Sequence, residues 1–362
     1  MEIAVLGGGH GCYAAAAELS EKQHRVRFWR RDAAALQAVI NSGSITVVDY
    51  KGEREVEIAH PTSSLAEAVT DAELIVIPLP SLTHKSLAQE LAPHLRDGQV
   101  VYLPPGTFGS YIFAKAMRAA GNSADVSFAE TGTLPYLARK HGPNRVVISG
   151  YATRLPTGVL PARNSEYALR VLANAYPVEH CKDALSGALM NAGPIIHPPL
   201  IMMNAGPLEH FESWDIHNEG TQPSIRRVTT ALDAERMAIR EALGYGAPHF
   251  PLADHYNKAG EGDEWMYGRA AHEKLTDSGD WRENIDLKSH RYMLEDTRLG
   301  LSFIVSVGRW ANVNTPVAAG LLAIASAVAE RDLYSEGRTL ENLGLDKLSH
   351  EDMTDLLRNG PQ

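Results

Sequence analysis

The chain has 362 residues, 44% of them hydrophobic and 22% charged, which is typical of a folded globular protein long enough for two domains. Its formal net charge of −10 argues against nucleic acid or an anionic membrane as a partner, because the average surface would repel both. The chain carries two cysteines, Cys12 and Cys181, and its amino terminus lacks the basic segment of a signal peptide. These features predict a cytoplasmic protein without disulfides, and the longest apolar stretch, 317–329, is too short to cross a bilayer.

A glycine-rich turn follows the first apolar run of the chain. Residues 3–6 have the pattern of a short buried strand, and residues 13–21 favour a helix. The turn between them supplies four predicted cofactor-binding residues: Gly7, Gly9, His10 and Gly11. Peptide N–H groups at such a helix start receive the pyrophosphate of a dinucleotide. Cys12 replaces the third glycine of the G-x-G-x-x-G pattern, and we expect its small side chain to fit there.

Two arginines stand where NAD-binding proteins usually carry an acid. The second predicted strand ends at Trp29 and is followed by Arg30 and Arg31. An Asp or Glu at this place binds the ribose 2′-OH of NAD, whereas guanidinium groups suit the 2′-phosphate of NADP. The sequence therefore predicts NADP(H) as the preferred cofactor and NAD(H) as the alternative one. In a second interpretation the two arginines only end the strand in solvent.

Short apolar runs alternate with helical segments up to about residue 182, which indicates a mostly parallel sheet covered by helices. Seven strands are predicted, at 3–6, 25–29, 45–48, 74–78, 100–103, 127–129 and 145–149. The fourth and fifth end in proline-rich loops at the edge where such sheets bind ligands. We therefore expect Leu79, in the first of these loops, to contact the cofactor, and we place Glu130, after the sixth strand, in the cofactor site as well.

Helices dominate the second half of the chain. They are predicted at 232–243, at 299–329 with a break near 312–316, and after a capping box at 349–352. The predicted fold is thus α/β, with an N-terminal doubly wound Rossmann-type domain at 1–182 and an all-helical C-terminal domain at 183–362. We expect the substrate site in the cleft between them.

A reductase that uses a nicotinamide needs a proton donor beside the hydride acceptor, and histidine suits this role at neutral pH. Among the 15 histidines, His197 stands out because it lies among apolar residues and prolines at the domain junction. The alternative is a core histidine bonded to a carbonyl group. Glu295 or Asp296, before the long helical run, is a candidate to orient His197. Alternatively, both are carboxylates favoured at a helix amino terminus.

Five blocks carry a resemblance to the octopine/nopaline (opine) dehydrogenase family: 130–136, 191–198, 233–236, 291–296 and 336–340. The resemblance runs nearly end to end, and its most specific parts are I-H-P-P and R-Y-x-x-E-D. It implies reductive condensation of an amino acid with a 2-oxo acid such as pyruvate, through an imine, by NAD(P)H. It also implies that His197 is the general acid/base and that Asp296 orients it. The family member that the chain resembles most carries an acid where this chain has Arg30, which supports NADP.

Two further residues are assigned to the substrate site, Asn191 and Arg291. A guanidinium can grip a carboxylate through two bonds, so Arg291 is a candidate ligand for a substrate carboxylate or, equally, a structural ion-pair partner. We expect a homodimer, and the apolar helix at 317–329 is either core or a dimer face. Other pocket candidates, each alternatively a packing residue, are Asn204, His210, Trp214, Asp215 and Trp265.

Three other functions fit the sequence less well. A reductase of the ketopantoate or glycerol-3-phosphate kind carries a lysine near the asparagine that starts its helical domain, and here Met190 precedes Asn191. A zinc enzyme is not favoured, because His197, His210 and His217 come without a cysteine pair and the 272–276 segment lacks a second histidine. We therefore predict no metal. A non-enzymatic cofactor-binding sensor would need the glycine turn, but not His197 with Asp296.

Overall fold

The structure, a computed structural model, describes residues 1–252 and 284–362. Within those residues the strands are β1 Glu2–Leu6, β2 Arg25–Trp29, β3 Ser44–Asp49, β4 Gly52–Glu57, β5 His60–Thr62, β6 Leu74–Val76, β7 Val100–Leu103, β8 Ser127–Thr131, β9 Tyr136–Lys140, β10 Arg145–Tyr151, β11 Leu155–Leu160 and β12 Val178–His180. The helices of the first half are α1 His10–Glu21, α2 Ala33–Ser42, α3 Leu65–Val69, α4 His84–Leu91, α5 Gly109–Ala119 and α6 Ser165–Leu172. Those of the second half are α7 Ala184–Ala188, α8 Gly193–Met203, α9 Ala205–His210, α10 Pro223–Ala242, the π-helix α11 Tyr292–Leu301, α12 Ser302–Trp310, α13 Pro316–Ala329, α14 Leu340–Leu343 and α15 His350–Asn359.

The main sheet has eight strands in the order β12-β11-β8-β7-β6-β1-β2-β5. Every neighbouring pair is parallel except β8 with β11. The chain runs from β1 to β2 on one side and later to β6 on the other, so the strand order reverses beside β1. Such a reversal opens a crevice at the carboxyl ends of the strands, where the glycine turn lies. The predicted doubly wound Rossmann-type architecture is confirmed.

A second sheet, in the order β4-β3-β10-β9, corrects the single sheet expected from the sequence. The strands predicted at 45–48 and 145–149 belong to it, as β3 and β10. Alternate residues of β3 are buried and half-exposed, which is typical of a sheet with one solvated face rather than of a fully buried parallel strand. The second sheet covers α1, since Tyr13 of that helix donates a hydrogen bond to the carbonyl of Pro143, between β9 and β10, at 2.8 Å.

The described part of the second half is helical, as predicted. The last strand ends at His180 and α7 begins at Ala184, while the exact domain boundary at 182–183 stays a prediction. The helix expected at 232–243 begins earlier, at Pro223, because proline is favoured in the first turn of a helix. The expected break lies between α12 and α13, and α15 opens with the predicted capping box.

The apolar helix α13 is mostly a core helix. It buries five side chains, Ala318, Leu321, Leu322, Ala325 and Ala329, and exposes Ile324. Among the described helices, none combines the length and apolar character needed to span a membrane.

Helices α8 and α11 approach each other closely because glycine lies at two of their contacts. A Cβ atom at Gly193 would lie 2.2 Å from Oδ1 of Asp296, and one at Gly300 would lie 2.2 Å from Cγ of Pro194. Both distances are far below van der Waals contact, so any larger side chain would push the helices apart. The contact also holds the π-helical turns of α11, a form of helix often found at functional sites, against the start of α8.

Candidate active site

A cavity of about 910 Å³ lies between the glycine turn, the loops after β6 and β7, and helices α8, α10 and α11. Eight of the predicted site residues line it: Gly9, His10, Gly11, Leu79, Asn191, His197, Arg291 and Asp296. The structure therefore brings residues from both halves of the chain to one place, as the predicted cleft requires. Gly7, Arg30, Arg31 and Glu130 lie outside this lining.

The glycine turn is closed by neighbouring side chains. Gly7 has φ of +122°, and a Cβ atom there would lie 2.4 Å from Cδ2 of Leu79 and 2.8 Å from Sγ of Cys12. A Cβ atom at Gly11 would lie 2.6 Å from Cδ1 of Leu134. Since α1 begins at His10, the amino-terminal end of this helix lies beside the cavity. These features fit the pyrophosphate cradle predicted from the sequence.

Cys12 fits the position of the missing third glycine, as expected. Its thiol is fully buried and lies 3.6 Å from the carbonyl of Leu6 and 3.5 Å from that of Pro78, to which it can donate a hydrogen bond. Burial raises the pKa of the Cys12 thiol to about 12, so it stays protonated. Cys12 and the equally buried Cys181 are therefore packing residues.

The two arginines after β2 do not act as a pair. Arg30 folds back onto the glycine turn, where its Nη1 donates to the hydroxyl of Tyr13 at 3.1 Å and to the carbonyl of Ala35 at 3.0 Å. Arg31 points to the surface and forms an exposed ion pair with Glu90 at 2.8 Å. Arg30 alone occupies the position expected for a ligand of the adenosine ribose.

His197 and Asp296 meet in the cavity wall. Nδ1 of His197, on α8, lies 2.9 Å from Oδ2 of Asp296, on α11, and both side chains are largely buried. The approach is too bent for a straight hydrogen bond, and such bonds commonly tighten when substrate binds. The imidazole also stacks on the ring of Tyr292, with centroids 3.8 Å apart and an angle of 13° between the planes. Tyr292 and Asp296 thus fix the orientation of the imidazole.

The two neighbouring carboxylates of α11 have different surroundings. Glu295 turns away from His197 and accepts hydrogen bonds from the backbone N–H and the hydroxyl of Ser81, at 2.7 and 3.0 Å. Burial raises the pKa of Asp296 to about 7, although Arg291 and His290 lower it in part. Burial and the charge of Asp296 likewise raise the pKa of Glu295. Of the two candidates, Asp296 is the one that contacts His197.

Asn191 connects the start of α8 to the loop after β7. Its side-chain N–H group donates to Oγ1 of Thr107 at 2.6 Å, and its carbonyl accepts from the backbone N–H of Gly193 at 3.0 Å. Asn191 lines the cavity, so it is both part of the wall and a link between the two halves.

Glu130 does not line the cavity, although the sequence places it in the cofactor site. Its carboxylate is fully buried and accepts hydrogen bonds from the backbone N–H of Phe108, at 2.7 Å, and from the hydroxyl of Ser110. A Cβ atom at Gly106 would lie 2.0 Å from Oε2 of Glu130. Burial raises the pKa of Glu130 to about 7. Glu130 therefore supports the loop after β7 from behind rather than facing the cavity.

Sequence reasoning missed the role of Arg338, which lies in the resemblance block 336–340. This buried guanidinium donates to the carbonyls of Gly106 and Thr107, at 3.0 and 2.8 Å, and to that of Ser81 at 2.8 Å. Burial lowers its pKa to about 10, so it is still charged at neutral pH. One cation of the helical half thus holds both loops that flank the expected cofactor site.

His217 also lines the cavity, although the sequence marked it only as one of three clustered histidines. Its ring centroid lies 6.0 Å from that of His197. Asp215 accepts a hydrogen bond from the backbone N–H of His217 at 2.9 Å, while Asn204 accepts one from Nε1 of Trp214 at 2.9 Å. The three pocket candidates Asn204, Trp214 and Asp215 lie outside the cavity lining, and they shape the loop that carries His217.

The remaining predicted residues are outside the site or outside the described residues. His210 is exposed and does not line the cavity. Met190, where the alternative reductases carry lysine, is buried against Leu137 and Cys181. Trp265 and the 272–276 segment lie outside the described residues. Across 1–252 and 284–362, no three His, Cys, Asp or Glu side chains are grouped as metal ligands.

Known proteins match this chain over both halves. The model of the alpha-helical domain of NAD/NADP octopine/nopaline dehydrogenases matches residues 180–329, and that of the NAD-dependent glycerol-3-phosphate dehydrogenase N-terminus matches residues 2–105. An opine dehydrogenase of Arthrobacter sp. (strain 1C) is 31% identical over 356 residues, which cover 96% of each chain.

Solved structures of similar fold include an octopine dehydrogenase in complex with NADH and agmatine. It has a TM-score of 0.73 and 18% identity, covering 99% of this chain and 98% of that chain. A yersinopine dehydrogenase with NADP+ bound has a TM-score of 0.66 and 15% identity, with the same coverage. The glycerol-3-phosphate match ends within the dinucleotide-binding half, whereas the opine dehydrogenase match spans both. The chain therefore belongs to the opine dehydrogenase family of NAD(P)-dependent oxidoreductases, which act on CH–NH groups.

Proposed function

We propose that this enzyme joins the amine of an amino acid to a 2-oxo acid and reduces the resulting imine, with NADPH as the preferred cofactor. The observation that carries the proposal is the contact of His197 with Asp296 in the wall of a cavity that also contains the glycine turn. When bound, the dinucleotide supplies the hydride that reaches the imine carbon. His10, Gly11 and Leu79 would hold it, because they line the cavity at the closed turn.

His197 is the proposed proton donor. Because Nδ1 faces Asp296, we assign proton transfer with the substrate to the other ring nitrogen, Nε2. Condensation of an amine with a ketone requires loss of water, and a proton from Nε2 allows the hydroxyl to leave. In the reverse direction the same nitrogen accepts a proton. Asp296 stabilises the imidazolium form and holds the ring in one tautomer.

The charges of the cavity suit anionic substrates. Each carboxylate of the described lining already has a cation or hydrogen-bond donor: Asp296 contacts His197, Glu295 contacts Ser81, and Asp233 pairs with Arg236 at 2.7 Å. Arg291 lines the cavity one residue before Tyr292, on which His197 stacks. We therefore propose that Arg291 binds a substrate carboxylate beside the proton donor.

Replacing Arg291 with lysine is expected to raise the KM of the substrate whose carboxylate it binds by about 10- to 100-fold, with a smaller change in kcat. The reason is that lysine keeps the charge but loses the two-bond grip of the guanidinium, which is worth roughly 1.5–3 kcal/mol. Initial rates at varied amino acid and 2-oxo acid measure the effect.

Arg309→Lys is the matched control for this prediction. Both guanidinium groups are exposed and lie over a tyrosine ring, Arg291 over Tyr292 at 4.8 Å and Arg309 over Tyr334 at 4.4 Å, but Arg309 lies outside the cavity. An unchanged KM in Arg291→Lys together with a lower Tm would assign Arg291 to structure instead.

The preference for NADPH is supported by Arg30, which lies beside the glycine turn and replaces the usual acid. Arg31 does not support it, because that side chain is paired with Glu90 at the surface. The homodimer and the cytoplasmic location expected from the sequence stay predictions.

A panel of substrates tests the proposed reaction. Amino acids are combined with pyruvate, glyoxylate or 2-oxoglutarate, and consumption of NADPH is followed by its absorbance. We expect consumption only when an amino acid and a 2-oxo acid are both present. Consumption with a 2-oxo acid alone, at the same rate, would instead favour a 2-hydroxy acid dehydrogenase.

A further inference from the structure

Two cations from distant parts of the chain meet at Tyr13, in the first turn of α1. Nη1 of Arg30 donates to the phenol oxygen of Tyr13 at 3.1 Å. Nζ of Lys140 lies 4.1 Å from the centroid of the same ring. Arg30 follows β2 of the main sheet, whereas Lys140 ends β9 of the second sheet. Tyr13 therefore holds one positive charge at its ring and the other at its hydroxyl.

The backbone of Lys140 is tied to the glycine turn. Its N–H group donates to Nδ1 of His10 at 2.8 Å, and His10 both begins α1 and lines the cavity. The hydroxyl of Tyr13 also donates to the carbonyl of Pro143, so the turn between β9 and β10 is fixed over α1. Lys140 is thus held beside the cofactor cradle by two elements, not by its own side chain alone.

Neither cation is neutralised by a carboxylate that the structure describes. Across 1–252 and 284–362, no carboxylate lies within 4.0 Å of the charged nitrogens of Arg30 or Lys140, whereas Arg27, Arg31 and Arg54 each pair with at least one. Burial and the charge of Arg30 lower the pKa of Lys140. Two unneutralised like charges at one place repel each other, and an anion with two negative charges would offset that repulsion.

The position of this pair indicates which anion fits. The adenosine ribose of a dinucleotide is expected at the end of β2, where Arg30 stands. We propose that Lys140 and Arg30 together bind the 2′-phosphate of NADPH, and that the second sheet supplies half of this subsite. The proposal rests on the NADPH preference proposed above. It also replaces Arg31, the partner expected from the sequence, with a residue of the second sheet.

Binding of two nucleotide fragments to the whole enzyme, measured by calorimetry, tests the proposal without any turnover. Lys140→Gln is expected to weaken binding of 2′,5′-ADP by about 10- to 100-fold, the effect of losing one hydrogen bond to a charged group. Binding of 5′-AMP, which is the same fragment without the 2′-phosphate, should stay at the wild-type level. Lys140→Arg should recover most of the affinity, because it restores the charge.

Two variants serve as controls. Lys51→Gln removes another lysine of the second sheet that lies over a tyrosine ring, Tyr50, at 5.7 Å, and Arg31→Gln removes the surface arginine. Both should bind 2′,5′-ADP like the wild type. Equal weakening of 2′,5′-ADP and 5′-AMP in Lys140→Gln would overturn the proposal in favour of a ligand for the 5′-phosphate or a structural role, and so would no weakening. If the wild type itself binds both fragments equally, the NADPH preference fails, whatever Lys140 does.

Discussion

Replacing His197 with alanine is expected to lower kcat for the reductive condensation by about 10²–10⁴-fold, the usual contribution of a general acid. Nδ1 of His197 faces Asp296, and alanine removes the other ring nitrogen, to which proton transfer is assigned. The affinity for NADPH should stay close to that of the wild type, because the residues proposed to hold the dinucleotide all belong to the first half of the chain, at the glycine turn, the loop after β6 and the ends of β2 and β9. Initial rates and a fluorescence titration with NADPH measure the two quantities separately.

His210→Ala is the control for this change. His210 is also in the helical half, but it is exposed and lies outside the cavity lining. The kcat of His210→Ala should therefore equal that of the wild type. His197→Gln keeps more of the volume beside Tyr292 and separates loss of the proton from loss of packing. A wild-type kcat in both His197 variants would exclude His197 as the proton donor.

The second large effect is expected for Asp296→Asn, which should lower kcat by about 10²-fold or more. An amide of the same size cannot stabilise the imidazolium form of His197, and it can hold the imidazole in the wrong tautomer. The affinity for NADPH should again change little. Initial rates measured against pH test this, because the loss should be largest above about pH 7, where Asp296 of the wild type is ionised, and smaller at lower pH.

The same variant should be more stable than the wild type. Burial raises the pKa of Asp296 to about 7, whereas in the unfolded chain it is close to the ordinary value of about 4. The folded protein therefore binds this proton more tightly, and ionisation costs stability as pH rises from about 4 to 7. Asp296→Asn removes that cost, so its gain in Tm should be larger at pH 8 than at pH 5. A fall in both Tm and kcat would indicate a structural role.

Gly193→Ala is expected to lower kcat as well, through a steric effect on Asp296. The added Cβ would lie 2.2 Å from Oδ1 of Asp296, so the carboxylate must move and kcat should fall although both catalytic side chains remain. Gly206→Ala is the control, because Gly206 is also helical but has open space at its Cβ. Equal kcat values in the two variants would contradict the geometry described for Asp296.

The sequence alone was sufficient for the features that depend on local patterns. The turn at Gly7, Gly9 and Gly11 has a strand before it and a helix after it, and both follow from propensity and periodicity. The sequence context itself singles out His197 and leaves Glu295 and Asp296 as alternative partners, and the family resemblance then selects Asp296. Spacing could not show that the two residues meet, and the contact depends on glycines at 193 and 300.

Features made by long-range pairing were missed or misplaced. β3 and β10 are about a hundred residues apart, and the sequence pattern does not predict their partners β4 and β9. The second sheet therefore cannot be predicted from local patterns. For the same reason the sequence pairs Arg30 with its chain neighbour Arg31, whereas in the structure β9 brings Lys140 to Tyr13, which Arg30 also contacts. Arg338 lies more than 200 residues from the loops that it holds. No local pattern distinguishes such an arginine from a surface one.

The most direct test of the central claim is the mass of the product formed with NADPH that is deuterated at the transferred position. With an amino acid and a 2-oxo acid present, we predict a secondary amine that carries deuterium on the carbon derived from the 2-oxo acid, and almost none of it with His197→Ala. A deuterated 2-hydroxy acid as the main product, with the amino acid recovered unchanged, would contradict the account.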